Sequence, residues 1–253
     1  MLRSMMMKIA LITGGGRGIG AATALLLAQT GYAVCVNYRS NQSAADGVVA
    51  AIKAAGGTAI AVPGDVSVEA DVLQLFETVD RELGTLDALV NNAGIIAPQS
   101  RLENIDGQRM ARIFATNALG SLMCAREAVK RMSTRNGGAG GVIVNTTTAL
   151  TKSGAPNMYI DYAAAKAAVE VMTMGLAREV AGEGIRVNAV RPGLIDTDIH
   201  ADGGDAKRAE KARDFVPMKR AGGAGEVARA IAWLLSDQAS YSTGAIIDVS
   251  GGI

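Results

Sequence analysis

The stretch TGGGRGIG, Thr13–Gly20, connects a short apolar run to a helical pattern. The run before it, KIALI (Lys8–Ile12), has the length and the side chains of a buried strand. The glycines of Thr13–Gly20 permit a tight turn. The start of the helix that follows offers N–H groups and a dipole that favour an anion. The spacing is T-G-x-x-x-G-x-G, with Ile19 where the strict G-x-G-x-x-G pattern requires glycine. This first turn of the chain predicts a dinucleotide-binding site.

Beyond this turn, apolar runs of strand length alternate with longer helical segments. Further strands are expected in AVCVNY, TAIAVPGDV, LDALVNNAG, GVIVNTTT, IRVNAVRPG and AIIDVSGG. After the helix that follows the glycine turn, helices are expected at Asn41–Gly56, Val68–Leu83, Ile105–Met132, Tyr159–Val180 and Ala224–Leu235. Strands separated by helices form βαβ units, so the pattern predicts an α/β fold, a doubly wound parallel sheet of about seven strands with helices on both faces.

The chain shows no internal linker, so one domain is expected over residues 8–253, after a disordered lead at residues 1–7. The charged segment at residues 196–218, DTDIHADGGDAKRAEKARDFVPM, follows a strand end and is interrupted by two glycines. It is predicted to be a lid over the site.

Composition excludes several classes of function. The chain of 253 residues has a net charge of +1, which does not favour binding to nucleic acid, and its apolar runs are too short to predict a membrane span. Two distant cysteines, Cys35 and Cys124, and one histidine, His200, are too few for a Cys/His metal site or a disulfide framework. No metal and a cytoplasmic location are therefore expected, with His200 at the surface or against a substrate.

The segment YAAAK places Tyr162 and Lys166 four residues apart on a predicted helix, where the two side chains share one face. A tyrosine pKa near 10 must fall by about three units, or about 4 kcal/mol, for general-base work near neutrality. A cation at ~4 Å is worth about that much at an effective dielectric constant of ~20. The pair therefore predicts an acid–base tyrosine, whereas Tyr159 lacks a lysine four residues later.

Taken together with NNAG (Asn91–Gly94), YAAAK and RPG (Arg191–Gly193), the glycine turn resembles that of the short-chain dehydrogenases/reductases. The resemblance covers almost the whole chain. It implies a Rossmann fold, a small-molecule carbonyl or alcohol substrate, and a homotetramer built by the two long central helices and the C-terminal segment. Val169, Val171 and Met172 suit such an interface or ordinary core burial.

The resemblance also assigns catalytic roles. Tyr162 would exchange a proton with the substrate oxygen, and Lys166 would lower the tyrosine pKa and hold the nicotinamide ribose. Asn117 would position a water in a proton relay. The family usually has a serine thirteen residues before the tyrosine, where this chain has Ala149. Relatives with a longer loop place it fourteen residues before, at Thr148, whose hydroxyl also donates and accepts; Thr147 is the alternative.

The end of the second predicted strand, NYRS, decides which cofactor is expected. An acid there would bind the ribose hydroxyls of NAD, but Asn37 and Arg39 stand there instead. Arg39, Arg17 and Ser40 offer partners to a 2′-phosphate, which favours NADP over NAD. Together with Tyr162 and Lys166, the resemblance adds these cofactor-binding residues: Gly14, Gly18, Ile19, Asp65, Val66, Asn92, Ala93, Gly94, Pro192, Gly193, Ile195 and Thr197.

The sequence thus predicts an NADP-dependent oxidoreductase that interconverts a carbonyl and a secondary alcohol by hydride transfer. The alternative is an NADP-binding redox sensor or scaffold with little turnover, which the threonine in place of serine would fit. A sugar or polyol, a 3-oxoacyl thioester and a small ketone all remain open as substrates.

Overall fold

The computed structural model describes residues 7–205 and 207–253, without the side chains of residues 212 and 213. The predicted disordered lead therefore lies, apart from Met7, outside the described residues. Within the described part of the chain, no helix combines the length and the apolar character that crossing a membrane requires.

Seven parallel strands form the main sheet, in the order β3-β2-β1-β4-β5-β6-β9, and a separate two-residue pair joins β7 to β8. The strands are β1 (Lys8–Ile12), β2 (Tyr32–Tyr38), β3 (Ala59–Pro63), β4 (Ala88–Asn91), β5 (Gly141–Thr146), β6 (Ile185–Pro192), β7 (Ile195–Asp196), β8 (Gly222–Gly223) and β9 (Ile246–Val249). The predicted doubly wound sheet is confirmed, and the carboxyl ends of its strands share one edge.

The helices connect these strands and cover both faces of the sheet. They are α1 (Gly18–Gln29), α2 (Gln42–Ala54), α3 (Glu69–Glu82), α4 (Gly107–Phe114), α5 (Gly120–Met132), α6 (Leu150–Ser153), α7 (Ile160–Val180), α8 (Ile199–Asp202), α9 (Ala212–Phe215) and α10 (Ala224–Leu235). The predicted continuous helix at Ile105–Met132 is wrong in one respect, because a π-helical turn at Ala115–Leu119 separates α4 from α5. Such turns insert an extra residue and often occur at functional sites.

The strands bury side chains on both faces, which explains their nearly continuous apolar sequences. In β1, Ile9 and Leu11 pack with α3, α5 and α7, while Ala10 and Ile12 pack with α1, α2 and α10. Full burial of an aliphatic side chain stabilises the fold by roughly 1.5–3 kcal/mol. The two layers of helices, one on each face of the sheet, together hold the strand ends and the residues on them in fixed positions.

The segment predicted as a lid is anchored at both ends. Ile195 and Asp196 of β7 pair with Gly222 and Gly223 of β8, and the amide of Gly222 donates to the carbonyl of Leu194 at 2.9 Å. The short helices α8 and α9 lie between these strands. This arrangement holds the segment beside the carboxyl edge of the main sheet.

Candidate active site

The glycine turn lies between β1 and α1, where a side chain would not fit. Gly14 and Gly18 have φ values of +61° and +53°, and a Cβ atom on Gly20 would lie 2.4 Å from the carbonyl oxygen of Gly14. Among the described side chains, none caps the first turn of α1, whose N-cap residue is Arg17. The N–H groups of that turn are therefore available to an anion.

Two side chains fasten the turn to the end of β4. The amide nitrogen of the Asn92 side chain donates to the carbonyls of Thr13 and Gly14 at 3.0 and 3.1 Å. The Thr13 hydroxyl accepts from the backbone amides of Asn92 and Ala93, both at 3.0 Å. Asn92 thus shapes the turn through its side chain.

The residues predicted for the adenosine end differ in exposure. Asn37 is buried, and its side chain accepts from the Gly14 amide at 3.3 Å and donates to the Gly64 carbonyl at 3.0 Å, so it supports the turn. Arg39 is 54% exposed, and its Nη1 lies 3.9 Å from a carboxylate oxygen of Asp65. This loose, solvent-facing pair leaves the Arg39 fork accessible.

Tyr162 and Lys166 emerge from the same face of α7 into the site, as their spacing predicts. Both are buried, and Nζ of Lys166 donates to the carbonyl oxygen of Thr146 at 2.8 Å. Gly94 faces this ammonium closely, because a Cβ atom there would lie 3.4 Å from Nζ. The end of β5 and the NNAG turn therefore fix the position of the lysine.

The hydroxyls of Thr147 and Thr148, which follow β5, have different neighbours. The hydroxyl of Thr148 acts on the phenol of Tyr162 and lowers its pKa, and both residues line the same cleft. The hydroxyl of Thr147 instead donates to the carbonyl of Val190 on β6, at 3.1 Å. Of the two candidates, Thr148 is therefore the one beside the tyrosine.

Burial dominates the acid–base properties of the pair. It raises the pKa of Tyr162 to about 12, although the hydroxyl of Thr148 acts in the opposite direction. Burial lowers the pKa of Lys166 to about 8. Desolvation disfavours the charged form of both residues, so it acts against the lowering of the Tyr162 pKa that is expected from Lys166 and from the positive nicotinamide ring.

Asn117 lies in the π-helical turn and is fully buried. Its side chain accepts from the Ile95 amide at 3.0 Å and donates to the carbonyls of Ile95 and Ile113, both at 2.9 Å. A Cβ atom on Gly94 would lie 2.9 Å from its Oδ1. Asn117 therefore supports the backbone next to Lys166.

Apart from Asn117, all the predicted site residues line one cleft of about 830 Å³ at the carboxyl edge of the sheet. Sequence reasoning missed the apolar part of its wall, which includes Ile95, Ile96, Leu150, Met158, Leu194 and Phe215. A wider cavity of about 1240 Å³ lies at the opposite edge, between residues such as Tyr32, Gly140 and Arg186, and none of the predicted site residues lines it. The chemistry therefore belongs to the smaller cleft.

The segment predicted as a lid contacts residues that line this cleft. Arg17 donates to a carboxylate oxygen of Asp202 at 2.6 Å, and the Tyr159 hydroxyl donates to the Gly203 carbonyl at 3.2 Å. Nε2 of His200 lies 2.7 Å from the carbonyl oxygen of Ile195. The side chains of Tyr159 and His200, the rival acid–base residues, are thus engaged in contacts with the backbone of this segment or next to it.

Comparison with known proteins agrees with this geometry. Residues 14–253 match the family described as enoyl-(acyl carrier protein) reductase. The chain is 52% identical over 246 residues to the "uncharacterized oxidoreductase YgfF" of Escherichia coli K12, covering 97% of this chain and 100% of the relative. It is 38% identical to the 3-oxoacyl-[acyl-carrier-protein] reductase FabG of Staphylococcus epidermidis, over 98% and 99% of the two chains.

This chain is a short-chain dehydrogenase/reductase. Among solved structures, it resembles a short-chain dehydrogenase of Burkholderia cenocepacia in complex with NADP, with 33% identity, 97% coverage of both chains and a TM-score of 0.88. As a short-chain dehydrogenase/reductase, the protein is an NAD(P)-dependent oxidoreductase that acts on CH–OH donors.

The residues of this short-chain dehydrogenase/reductase fit a nicotinamide dinucleotide. The glycine turn offers unobstructed N–H groups, and the cleft runs from that turn to Tyr162 and Lys166. A Cβ atom added to Gly14 would lie 3.0 Å from the Ala93 Cα, so a side chain at position 14 would crowd the NNAG turn.

Proposed function

We propose that this enzyme uses NADP to interconvert a carbonyl compound and a secondary alcohol. The observation that carries the proposal is that Thr148, Tyr162 and the buried Lys166 line one cleft together with the glycine turn. A bound nicotinamide cofactor supplies or removes the hydride. The protein's part is to orient the substrate oxygen and to move one proton at that atom.

Tyr162 and Thr148 are the proposed catalytic residues. In reduction, the Tyr162 phenol gives its proton to the carbonyl oxygen, and in oxidation the phenolate takes the proton from the alcohol. The Thr148 hydroxyl donates a hydrogen bond to the same oxygen and stabilises the charge that develops there. Lys166 carries the cation that favours the phenolate, and Asn117 supports the backbone beside it and the proton relay.

The preference for NADP rests on charge at the adenosine end. Arg39 and Arg17 are both about half exposed, and no acid stands at the end of β2 itself. Arg17 is paired with Asp202 at 2.6 Å, and Arg39 lies 3.9 Å from Asp65, so a phosphate would compete with these two carboxylates. An arginine fork binds phosphate oxygens in pairs, whereas Asn37 and Ser40 add no charge. A 2′-phosphate would therefore gain two cationic partners that the hydroxyl of NAD would not use.

The proposed substrate enters the cleft beneath the segment 196–218, which acts as its lid. The apolar wall suits an acyl chain or a small ketone better than a sugar, and a 3-oxoacyl thioester is the preferred class.

A homotetramer and a cytoplasmic location complete the proposal. On α7, Val169 is buried whereas Val171 is 65% exposed. Leu119 on the π-helical turn and Leu122 on α5 are exposed as well. These exposed apolar side chains support an interface between copies of the chain.

Cofactor binding tests the first half of the proposal. NADPH and NADH are titrated against the protein by fluorescence, in the unaltered chain, in Arg39→Asp and in the control Arg81→Asp, whose exposed arginine lies at the end of α3. We expect NADPH to bind more tightly than NADH, and Arg39→Asp alone to reverse the order. Equal or tighter binding of NADH by the unaltered chain would contradict the phosphate argument.

Turnover tests the second half. Reduction of ethyl acetoacetate, an N-acetylcysteamine acetoacetyl thioester and glucono-δ-lactone is followed with NADPH, in the unaltered enzyme and in Tyr162→Phe. We expect the thioester to be the best substrate and Tyr162→Phe to reduce its kcat by at least about 10²-fold, because the proton donor is lost. Tight NADPH binding without Tyr162-dependent turnover of any probe would favour the redox-sensor alternative.

A further inference from the structure

A half-buried arginine, Arg208, lines the cleft from the segment 196–218. Its Cζ atom lies 5.5 Å from the centroid of the Tyr159 ring, which is a cation–π contact. Its Nη1 and Nη2 atoms each lie 3.8 Å from Sδ of Met158. Tyr159 and Met158 line the same cleft. An aromatic ring and a thioether therefore hold the Arg208 guanidinium against the cleft wall.

The Arg208 guanidinium has no anionic partner in the described part of the chain. No carboxylate there forms an ion pair with it, and its hydrogen bonds there go only to sulfur, a weak acceptor. The carboxylate of Asp205 accepts instead from Nζ of Lys211, at 3.1 and 2.9 Å. A guanidinium carries five N–H donors in a fixed fork that matches the oxygens of a carboxylate or a phosphate. These donors are free to take a ligand in the cleft.

Arg208 lies at the Tyr162 end of the cleft. Tyr159, which it covers, is the N-cap residue of α7, and Tyr162 lies in the first turn of that helix. The two tyrosine rings belong to one buried apolar cluster, against which Ile96 and Met158 also pack. A substrate whose carbonyl oxygen lies at Tyr162 can therefore extend over Tyr159 towards Arg208.

The side chains that line the cleft carry an excess of positive charge. Arg17 is paired with Asp202 at 2.6 Å, and Arg39 lies 3.9 Å from Asp65. Among the described residues, the other charged side chains of the lining are three cations and one exposed acid: Arg112, Lys166, Arg208 and Asp198. Charges of one sign in a cleft raise the local concentration of a ligand of the opposite sign. The cleft therefore favours an anionic group beside Arg208.

We propose that Arg208 is a specificity-determining residue that binds an anionic oxygen group of the substrate. The preferred substrates are then carbonyl compounds that carry a carboxylate on their chain or a phosphate on the thiol of a thioester. Both groups present paired oxygens to the guanidinium fork. This inference rests on the proposed function and adds the charge of the substrate to it.

Two matched pairs of carbonyl compounds test for the anionic group. The first pair is 4-oxopentanoate and its methyl ester, which differ in a carboxylate on the substrate chain. The second is acetoacetyl coenzyme A and the N-acetylcysteamine acetoacetyl thioester, which differ in phosphate groups on the thiol. kcat/KM for each compound is measured with saturating NADPH, and the pair that responds identifies the source of the anion.

Three variants assign the preference to Arg208. They are Arg208→Gln, Arg208→Lys and the control Lys207→Gln, and each is checked for folding by circular dichroism. Lys207 is exposed, neighbours Arg208 and does not line the cleft. KM for NADPH is measured for every variant, so that an effect on the cofactor is seen separately.

We expect the unaltered enzyme to favour the anionic member of at least one pair by about tenfold or more in kcat/KM, because hydrogen bonds to charged groups are the strong ones. Arg208→Gln should reduce this preference to within about threefold by slowing the anionic member alone, with KM for NADPH unchanged. Arg208→Lys keeps the charge but loses the fork, so it should keep part of the preference. Lys207→Gln should keep all of it.

Equal kcat/KM for the two members of both pairs, or a preference that persists in Arg208→Gln, would overturn the inference. An unaltered enzyme that reduces none of the four compounds would overturn the proposed function instead, and this inference with it. The neutral members report turnover on their own, so the two failures are distinct. If Arg208→Gln folds poorly, the comparison within each pair and Arg208→Lys still decide the question.

Discussion

Replacing Thr148 with valine removes one hydroxyl from the cleft and keeps nearly the same shape. In the structure this hydroxyl acts to lower the pKa of the Tyr162 phenol and accepts weakly from the Leu150 amide at 3.4 Å. Thr148 is 8% exposed, so a water molecule has little room to substitute for it. The variant therefore tests whether a threonine does the work that the family usually gives to serine.

The expected loss has two sources. Removing one hydrogen-bond donor to an oxygen that gains charge in the transition state costs about 10²–10³-fold in kcat, or roughly 2.7–4 kcal/mol. The Thr148 hydroxyl also lowers the pKa of Tyr162, which burial has raised to about 12, so its loss makes the phenolate still harder to form. We expect Thr148→Val to reduce kcat by about 10²–10³-fold with little change in KM for NADPH.

Two matched variants distinguish catalysis from stability. Thr147→Val removes a neighbouring buried hydroxyl that donates to the Val190 carbonyl at 3.1 Å, away from Tyr162. It should lower the free energy of unfolding by about 1 kcal/mol and leave kcat within about threefold. Thr148→Ser keeps the hydroxyl but loses the methyl group that restricts χ1, so kcat should stay within about fivefold of the unaltered enzyme.

The assay is NADPH oxidation with the best of the three carbonyl probes, together with urea unfolding of each variant. A kcat of Thr148→Val above about a third of the original would refute the role of Thr148. Equal losses of kcat in Thr147→Val and Thr148→Val would also refute it, because both effects would then come from the strand end as a whole.

Three further predictions follow from the contacts around the cleft. Asp202→Ala should strengthen NADPH binding by about two- to fivefold, because breaking the half-exposed Arg17–Asp202 ion pair releases Arg17 for the phosphate; fluorescence titration checks this, and weaker binding would contradict it. Gly94→Ala should reduce both the free energy of unfolding and kcat, because its Cβ atom would lie 2.9 Å from Oδ1 of Asn117. The control is Gly47→Ala in α2, whose Cβ atom would meet nothing within 4 Å. In urea unfolding this control should be neutral or stabilising by up to about 1 kcal/mol. Lys166 should make the free energy of unfolding rise with pH between about 8 and 10.5: burial lowers its pKa to about 8 in the folded state, so the unfolded chain binds more protons in that window. The full cost, of order 3 kcal/mol, is present below pH 8 and should be absent in Lys166→Met; parallel pH dependences in urea unfolding of the two proteins would contradict this prediction.

Secondary structure and the placement of site residues could be predicted from the sequence where they depend on local spacing. The strand KIALI and the helix Ala224–Leu235 have the bounds that their patterns predict, and most other elements differ by one to three residues at an end. The spacing between Tyr162 and Lys166 put both side chains in one cleft. These features could be predicted because periodicity and turn chemistry act over a few residues.

Contacts between distant segments could not be predicted in the same way. Nothing in the local pattern distinguishes Arg208 from a surface arginine, because Met158, which it contacts, lies 50 residues away. The π-helical turn could not be predicted either, because ATNAL has the composition of an ordinary helix. The burial that raises the Tyr162 pKa could not be predicted either, because a pairwise charge argument omits desolvation, which is a property of the folded environment.

The pairing of β7 with β8 has a consequence for how this enzyme can change over time. Because the two short strands close residues 197–221 into a loop of their own, insertions there extend a segment whose ends are already joined. Doubling the length of such a loop costs only about 0.6 kcal/mol in closure entropy. Substrate preference can thus diversify within this loop while the seven-stranded sheet, and the chemistry at its edge, are inherited unchanged.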